Sequence, residues 1–311
     1  MAYPVSTSIH LFQNLGLTLN EQIKKHTDAG FRFLDFNFLD WQNVKDSPLL
    51  GDEWESWITS AGETAERNGA RFNQAHAPVP CLRFDKDYEG LVAACRRSIR
   101  ACHKLGITQM VYHTINWPGS FGFTGTWHEA NATFFRALMD DAARYGVGIC
   151  VENVWPVLKE KGIIPIWQTE ELISFVDSLG ASDIVGICWD TGHGNLTGNG
   201  HNYKRNANPE LAAFGNQYEN ITKIGRRLRA LHIDDNNGLD DDHIMPGIGQ
   251  IAWGDVIRAL DDIGYEHSFT FEAHNAVRGV PEACRDAAAR LLHDVGVALV
   301  NTSKNGKVFD N

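Results

Sequence analysis

A short apolar run that stops at a histidine or a carboxylate recurs along this chain, and the recurrence limits what the chain can fold into. His76 ends Arg71 to Ala75, His113 ends Gln109 to Tyr112, and Glu152 ends Val147 to Val151. Asp190 ends Ile184 to Trp189, His232 ends Leu228 to Leu231, and Glu272 ends Ser268 to Phe271. The successive gaps are 37, 39, 38, 42 and 40 residues. Each run is short and bounded by turn residues, the pattern of a buried strand. The stretches between runs have helical periodicity, and most stop at a glycine: Gly30, Gly69, Gly106, Gly146, Gly180 and Gly264. Glycine past the last helical turn accepts the left-handed conformation that closes a helix.

Two further runs come first, Val5 to Leu11 with His10 near its end and Phe31 to Phe36 with Asp35 inside it. Strands are thus expected at 5–11, 31–36, 70–76, 107–113, 147–152, 184–190, 230–233 and 267–272. Helices are expected at 18–29, 53–68, 88–105, 127–145, 169–179, 209–227, 253–263 and 281–300. Strict alternation predicts parallel strands joined by right-handed crossovers. Eight units favour a closed (β/α)8 barrel, a TIM barrel, over an open doubly wound sheet. No Gly-x-Gly-x-x-Gly follows the first strand, which also disfavours a dinucleotide fold. Residues 1–311 are expected to form one domain with a short frayed tail from Asn301. The longer segments after strands, 37–52, 114–126, 153–168, 194–208 and 234–252, belong on the face where barrels carry their sites.

A hydrophobic content of 43% and a charged content of 22% fit a soluble globular protein. The formal net charge of −11 weighs against a surface that seeks DNA or membrane. Cys81, Cys95, Cys102, Cys150, Cys188 and Cys284 are scattered, without CxxC or zinc-finger spacing. They read as free thiols of a reducing cytoplasm. Met1-Ala2-Tyr3-Pro4 does not open a signal peptide, and no apolar run is long enough to span a bilayer.

In a barrel, the carboxyl ends of neighbouring strands surround one mouth. His76, His113, Glu152, Asp190, His232 and Glu272 are therefore expected to converge. Carboxylates that close together repel unless a cation lies between them. Mixed nitrogen and oxygen donors suit Zn, Mn, Co or Fe rather than a thiolate site. Glu152, Asp190, His232 and Glu272 form the core metal set. A divalent ion there polarises a sugar carbonyl and a neighbouring hydroxyl, and two glutamates flanking it can remove and return a proton. His193, three residues past Asp190, is expected to hold a substrate oxygen or to help bind metal.

Val151-Glu152-Asn153, Trp189-Asp190-Thr191-Gly192-His193, Leu231-His232-Ile233-Asp234-Asp235-Asn236 and Phe271-Glu272 resemble the xylose isomerase-like TIM-barrel superfamily. That superfamily holds sugar phosphate isomerases and epimerases, ketose 3-epimerases, inosose-processing enzymes and endonuclease IV. The resemblance covers nearly the whole chain. It implies one divalent ion, Mn, Zn, Co or Mg, on Glu152, Asp190, His232 and Glu272, with the two Glu as acid and base. It implies a substrate contact at His193. The segment Asp240 to Gln250 resembles the Asp-x-His plus Gly-x-Gly segment of the superfamily, with Asp241 and His243 at the matching positions. With these and His76, His113 and His193, every ligand position of the endonuclease IV centre is filled, which implies up to three zinc ions in that alternative. Taken singly, Asp240, Asp241 and Asp242 also read as a solvated acidic loop.

Other features point away from DNA repair. Ala273-His274 stands where endonuclease IV has Thr-Pro, and the loop from Leu39 to Glu53 carries Asp40, Asp46, Asp52 and Glu53 against Lys45. The aromatic, uncharged loop from Thr114 to Phe123 suits sugar rings or packs on itself. His201, Lys204 and Arg205 read as a phosphate or carboxylate receiver or as a solvated basic patch. The expected protein is a metal-dependent isomerase or epimerase of a small sugar or cyclic polyol, with no nucleic-acid or membrane partner and with room for a homo-oligomer. The alternatives are an endonuclease IV-like multi-zinc phosphodiesterase and a metal-dependent lyase, dehydratase or 3-keto-glycoside-cleaving enzyme.

Overall fold

Strand β1 (Val5–Ser8) begins a sheet that continues in chain order through β2 (Phe33–Asn37), β3 (Arg71–His76), β4 (Gln109–Tyr112), β5 (Gly148–Glu152), β6 (Val185–Asp190) and β7 (Leu228–His232). β8 (Phe269–Phe271) pairs in parallel with β1. The ring is completed between β7 and β8 by a single bridge, Ile233 opposite Phe271. There Ile233 N donates to Thr270 O at 2.8 Å and Glu272 N donates to Ile233 O at 3.0 Å. The computed structural model describes residues 3–81, 84, 86–154, 158–159, 162–163, 168–196 and 216–302.

Helices α1 (Leu19–Asp28), α2 (Trp54–Arg67), α3 (Tyr88–Leu105), α4 (Trp127–Tyr145), α5 (Thr169–Ser178), α6 (Gln217–Ile224), α7 (Trp253–Ile263) and α8 (Arg285–Thr302) follow the strands in turn. The (β/α)8 barrel read from the sequence is the fold. Thr18 and Thr126 open α1 and α4 with capping boxes, closed by Glu21 and Glu129. Gly106 and Gly146 close α3 and α4 at φ +71° and +66°, where a side chain would be strained.

The elements depart from expectation at their ends. β1 stops at Ser8: Ile9 N still donates to Asp35 O of β2, and the chain then turns, with Gln13 N donating to His10 O. The helix expected at 209–227 is seen as α6 and a 3-10 turn at Gly225–Arg227, and 209–215 lie outside the described residues. α8 starts at Arg285, after a 3-10 turn at Glu282–Cys284, and runs through Asn301 to Thr302. The expected tail is therefore helical at its start, and 303–311 lie outside the described residues. Short helices at Leu39–Gln42 and Asn275–Arg278 and a hairpin of Leu158–Lys159 with Gly162–Ile163 occupy segments read as loops. Among the described residues no helix is long and apolar enough to cross a membrane.

Side chains alternate across a strand. On the outward face, Leu34, Phe36, Ile149, Ile187, Trp189, Leu231, Phe269 and Phe271 are wholly buried under the helices. On the inward face, Val111, Cys150, Cys188 and Ala230 form a small separate cluster inside the barrel. These lie two residues before His113, Glu152, Asp190 and His232, so the same parity carries the latter to the mouth. The interior cysteines Cys150 and Cys188 act as small fillers.

Candidate metal centre

Glu152, at the end of β5, is the hub of the mouth. Its Oε2 lies 3.6 Å from His76 Nε2 and 3.2 Å from His113 Nε2. Its Oε1 lies 3.3 Å from both His193 Nδ1 and His232 Nδ1. His232 Nδ1 is also 2.9 Å from Glu272 Oε2. Asp190 Oδ1 accepts from His193 N at 2.6 Å, which folds the turn after β6 back over the strand end. Asp241 Oδ2 lies 3.6 Å from His193 Nε2 and 3.2 Å from His243 Nε2. Three groups result, each with ligand atoms within 4.8 Å of one another: His76, Glu152 and His232; Glu152, Asp190, His232 and Glu272; and His193, Asp241 and His243. The nine residues read from the sequence as metal or substrate contacts, His76, His113, Glu152, Asp190, His193, His232, Asp241, His243 and Glu272, stand together at this mouth.

The donor set suits a divalent cation. Both oxygens of Glu152, Asp190 Oδ2, Asp241 Oδ1 and His232 Nδ1 are buried without a hydrogen bond of normal geometry. Such groups are costly unless something compensates their charge. The ring orientations agree. His76 Nδ1 is 2.8 Å from Ala77 O, so it carries a proton and leaves Nε2 facing Glu152. Burial pushes Glu152 and Glu272 upward, but His232 beside both holds each well below the usual carboxylate range. Burial likewise opposes the imidazolium forms of His193, His232 and His243, and the carboxylates around them reverse it, to well above the usual range. Asp190 is raised by burial and by Asp234.

Side-chain contacts behind the cluster fix it. Asn153 Nδ2 donates to Asp190 O and its Oδ1 accepts from Asp190 N, tying the ends of β5 and β6. Asp235 accepts from Asn236 N, Gly247 N, Ile251 N and Trp253 Nε1, all between 2.9 and 3.1 Å, and pins the loop that carries Asp241 and His243. The Asp241 side chain is only 8% exposed, although Asp240, Asp241 and Asp242 are each half-buried as whole residues. Sequence reasoning gave no roles to Asn153, Asp234, Asp235, His10 or His274. Asp234 and His274 each follow a cluster residue by two places, and that spacing was the available signal.

The wall formed by β1 and β2 differs. His10 Nδ1 accepts from Asn37 Nδ2 at 3.1 Å and lies 3.7 Å from Asp40 Oδ2. The His10 and His274 rings meet edge to face at 4.8 Å. Burial lowers both, His274 to about 3, so this wall presents neutral imidazoles. Trp117, Phe121 and Phe123 are half-buried against the core, with Phe123 edge-on to Tyr88 at 5.2 Å. His201, Lys204 and Arg205 lie outside the described residues.

Residues 23–293 match the family model described as xylose isomerase-like TIM barrel. An uncharacterized protein of Methanocaldococcus jannaschii is 25% identical over 280 residues, 88% of this chain and 84% of that protein. A protein of Methanoculleus marisnigri named probable endonuclease 4 is 26% identical over 289 residues, covering 90% and 92%. A crystal structure of D-psicose 3-epimerase in the presence of D-fructose superimposes with a TM-score of 0.68 at 16% identity, covering 96% and 99%, and so shares the fold. The chain belongs to the xylose isomerase-like TIM barrel family.

Proposed function

We propose that this chain is a divalent-metal-dependent isomerase or epimerase of a sugar or cyclic polyol, acting by proton transfer next to a carbonyl. The observation that carries this reading is the pair Glu152 and Glu272, two buried carboxylates 3.3 and 2.9 Å from the same His232 Nδ1. Glu152, Asp190, His232 and Glu272 would hold the ion. When bound, it polarises a carbonyl and the neighbouring hydroxyl, acidifying the C–H of the carbon that bears the hydroxyl. One glutamate Oε takes that proton and the other glutamate returns one. Turnover therefore needs one glutamate ionised and the other carrying a proton drawn from solvent. His76 and His113 brace Glu152 Oε2, and burial of the pair excludes water. The D-psicose 3-epimerase fold match supports a sugar substrate. The test is incubation of the metal-loaded protein with free and phosphorylated ketoses and inososes in heavy water. Deuterium is expected at one carbon beside the carbonyl, together with the isomeric product. Isomer formation without solvent exchange, or no exchange across the panel, would overturn the mechanism.

A second reading has its own observation. Three metal-capable groups share one mouth, and two of them meet at Glu152. With a relative named probable endonuclease 4, that arrangement supports a multi-zinc phosphodiesterase. Cleavage of abasic DNA by protein holding two or three zinc ions per chain would decide for it.

A further inference from the structure

Asp234 is a buried carboxylate to which neither reading gives work. It is fully buried, and neither oxygen has a hydrogen bond of normal geometry. Its Oδ2 lies 3.4 Å from His243 Nδ1, and the same nitrogen is 3.0 Å from Glu272 O. Both neighbours of Nδ1 are acceptors, so Nδ1 carries a proton. The atom that His243 presents to Asp241 is then Nε2.

Two independent features show that this geometry is built. His243 has φ +44°, an uncommon conformation for a residue with a side chain, and is held there by Asn275 N donating to His243 O at 3.0 Å. Its ring stacks on His274 at 4.5 Å. The second feature is Gly192. Its backbone, φ −67° and ψ −50°, suits any residue, yet a Cβ there would lie 2.0 Å from Asp234 Oδ1. The glycine makes room for a carboxylate.

We infer that Asp234 is a positioning residue whose buried carboxylate stands beside the Nδ1 proton that His243 gives to Glu272 O, and that the two acceptors together keep Nε2 as the ring atom facing the cleft. A carboxylate behind an imidazole fixes its tautomer and raises its basicity. The inference rests on reading this mouth as the active site.

The test is nitrogen-15 histidine NMR on the full chain, freed of metal and without substrate, with His243→Ala assigning the signal. The wild type should show a downfield, slowly exchanging Nδ1 proton on His243. Asp234→Ala should move it upfield and speed its exchange, Asp234→Asn should change it less, and Gly192→Ala should match Asp234→Ala with Asp234 intact. Circular dichroism checks that each variant is folded. If Asp234→Ala does not fold, the upfield shift and faster exchange in Gly192→Ala carry the inference. The signal unchanged in folded Asp234→Ala or in Gly192→Ala overturns it. Because neither cation nor substrate is present, failure to exchange deuterium into sugars would sink the proposed function without touching this result.

Discussion

Glu152 and Glu272 are not equivalent. Glu152 faces four imidazoles, whereas Glu272 leans on His232 and lies nearer the solvent side, with 11% of its side chain exposed against none for Glu152. Removing either charge while keeping its shape, as Glu152→Gln or Glu272→Gln, should slow solvent deuterium exchange into substrate by about 10²–10⁴-fold. Glu152→Gln should also weaken cation binding more, because it touches two of the three ligand groups; a calorimetric zinc titration reads the difference. Away from the mouth, His26 in α1 is wholly buried, with Nδ1 2.7 Å from Gln22 O, and burial lowers it to about 4. Its folded value lies below its unfolded one, so below about pH 6.5 the unfolded chain gains a proton that the folded chain refuses. Stability should therefore fall as pH drops toward about 4 and level off below, by about 3 kcal/mol at most from this residue. Urea midpoints at pH 7 and pH 5 should converge in His26→Gln relative to the wild type.

At the scale of elements, the strand ends hold the candidate site and the loops finish it. The strand residues His76, Glu152, Asp190 and His232 were legible from spacing alone, because period-two alternation and a stop at a polar residue are local signals. Asp241 and His243 were legible only through a family resemblance, since a run of aspartates looks solvated until something buries it. That something is Asp235, whose hydrogen bonds reach residues 12 to 18 positions away, a distance at which no local pattern speaks. Asp235→Ala should free the loop at 237–250. A loss of about 3 kcal/mol or more in urea unfolding is expected, since hydrogen bonds to a charged group contribute about 1.5–3 kcal/mol each. New protease cleavage within that loop is expected as well. Unchanged stability and an uncut loop would contradict the role given to Asp235.

For the whole molecule, the barrel's eight-fold order explains why candidate ligands nearly forty residues apart in sequence meet within a few ångströms. Alternation of strands and helices was readable, and so was the barrel. Its closure rests on one bridge at Ile233 and Phe271, a detail that periodicity does not carry. The account makes the four-residue group the principal cation site. The most direct test is metal content per chain, by elemental analysis of protein purified without added metal or chelator, beside His232→Ala. About one divalent ion per chain, lost in His232→Ala, is the result the account predicts. Protein that holds no ion and takes none up, or that holds two or three zinc ions, would contradict it.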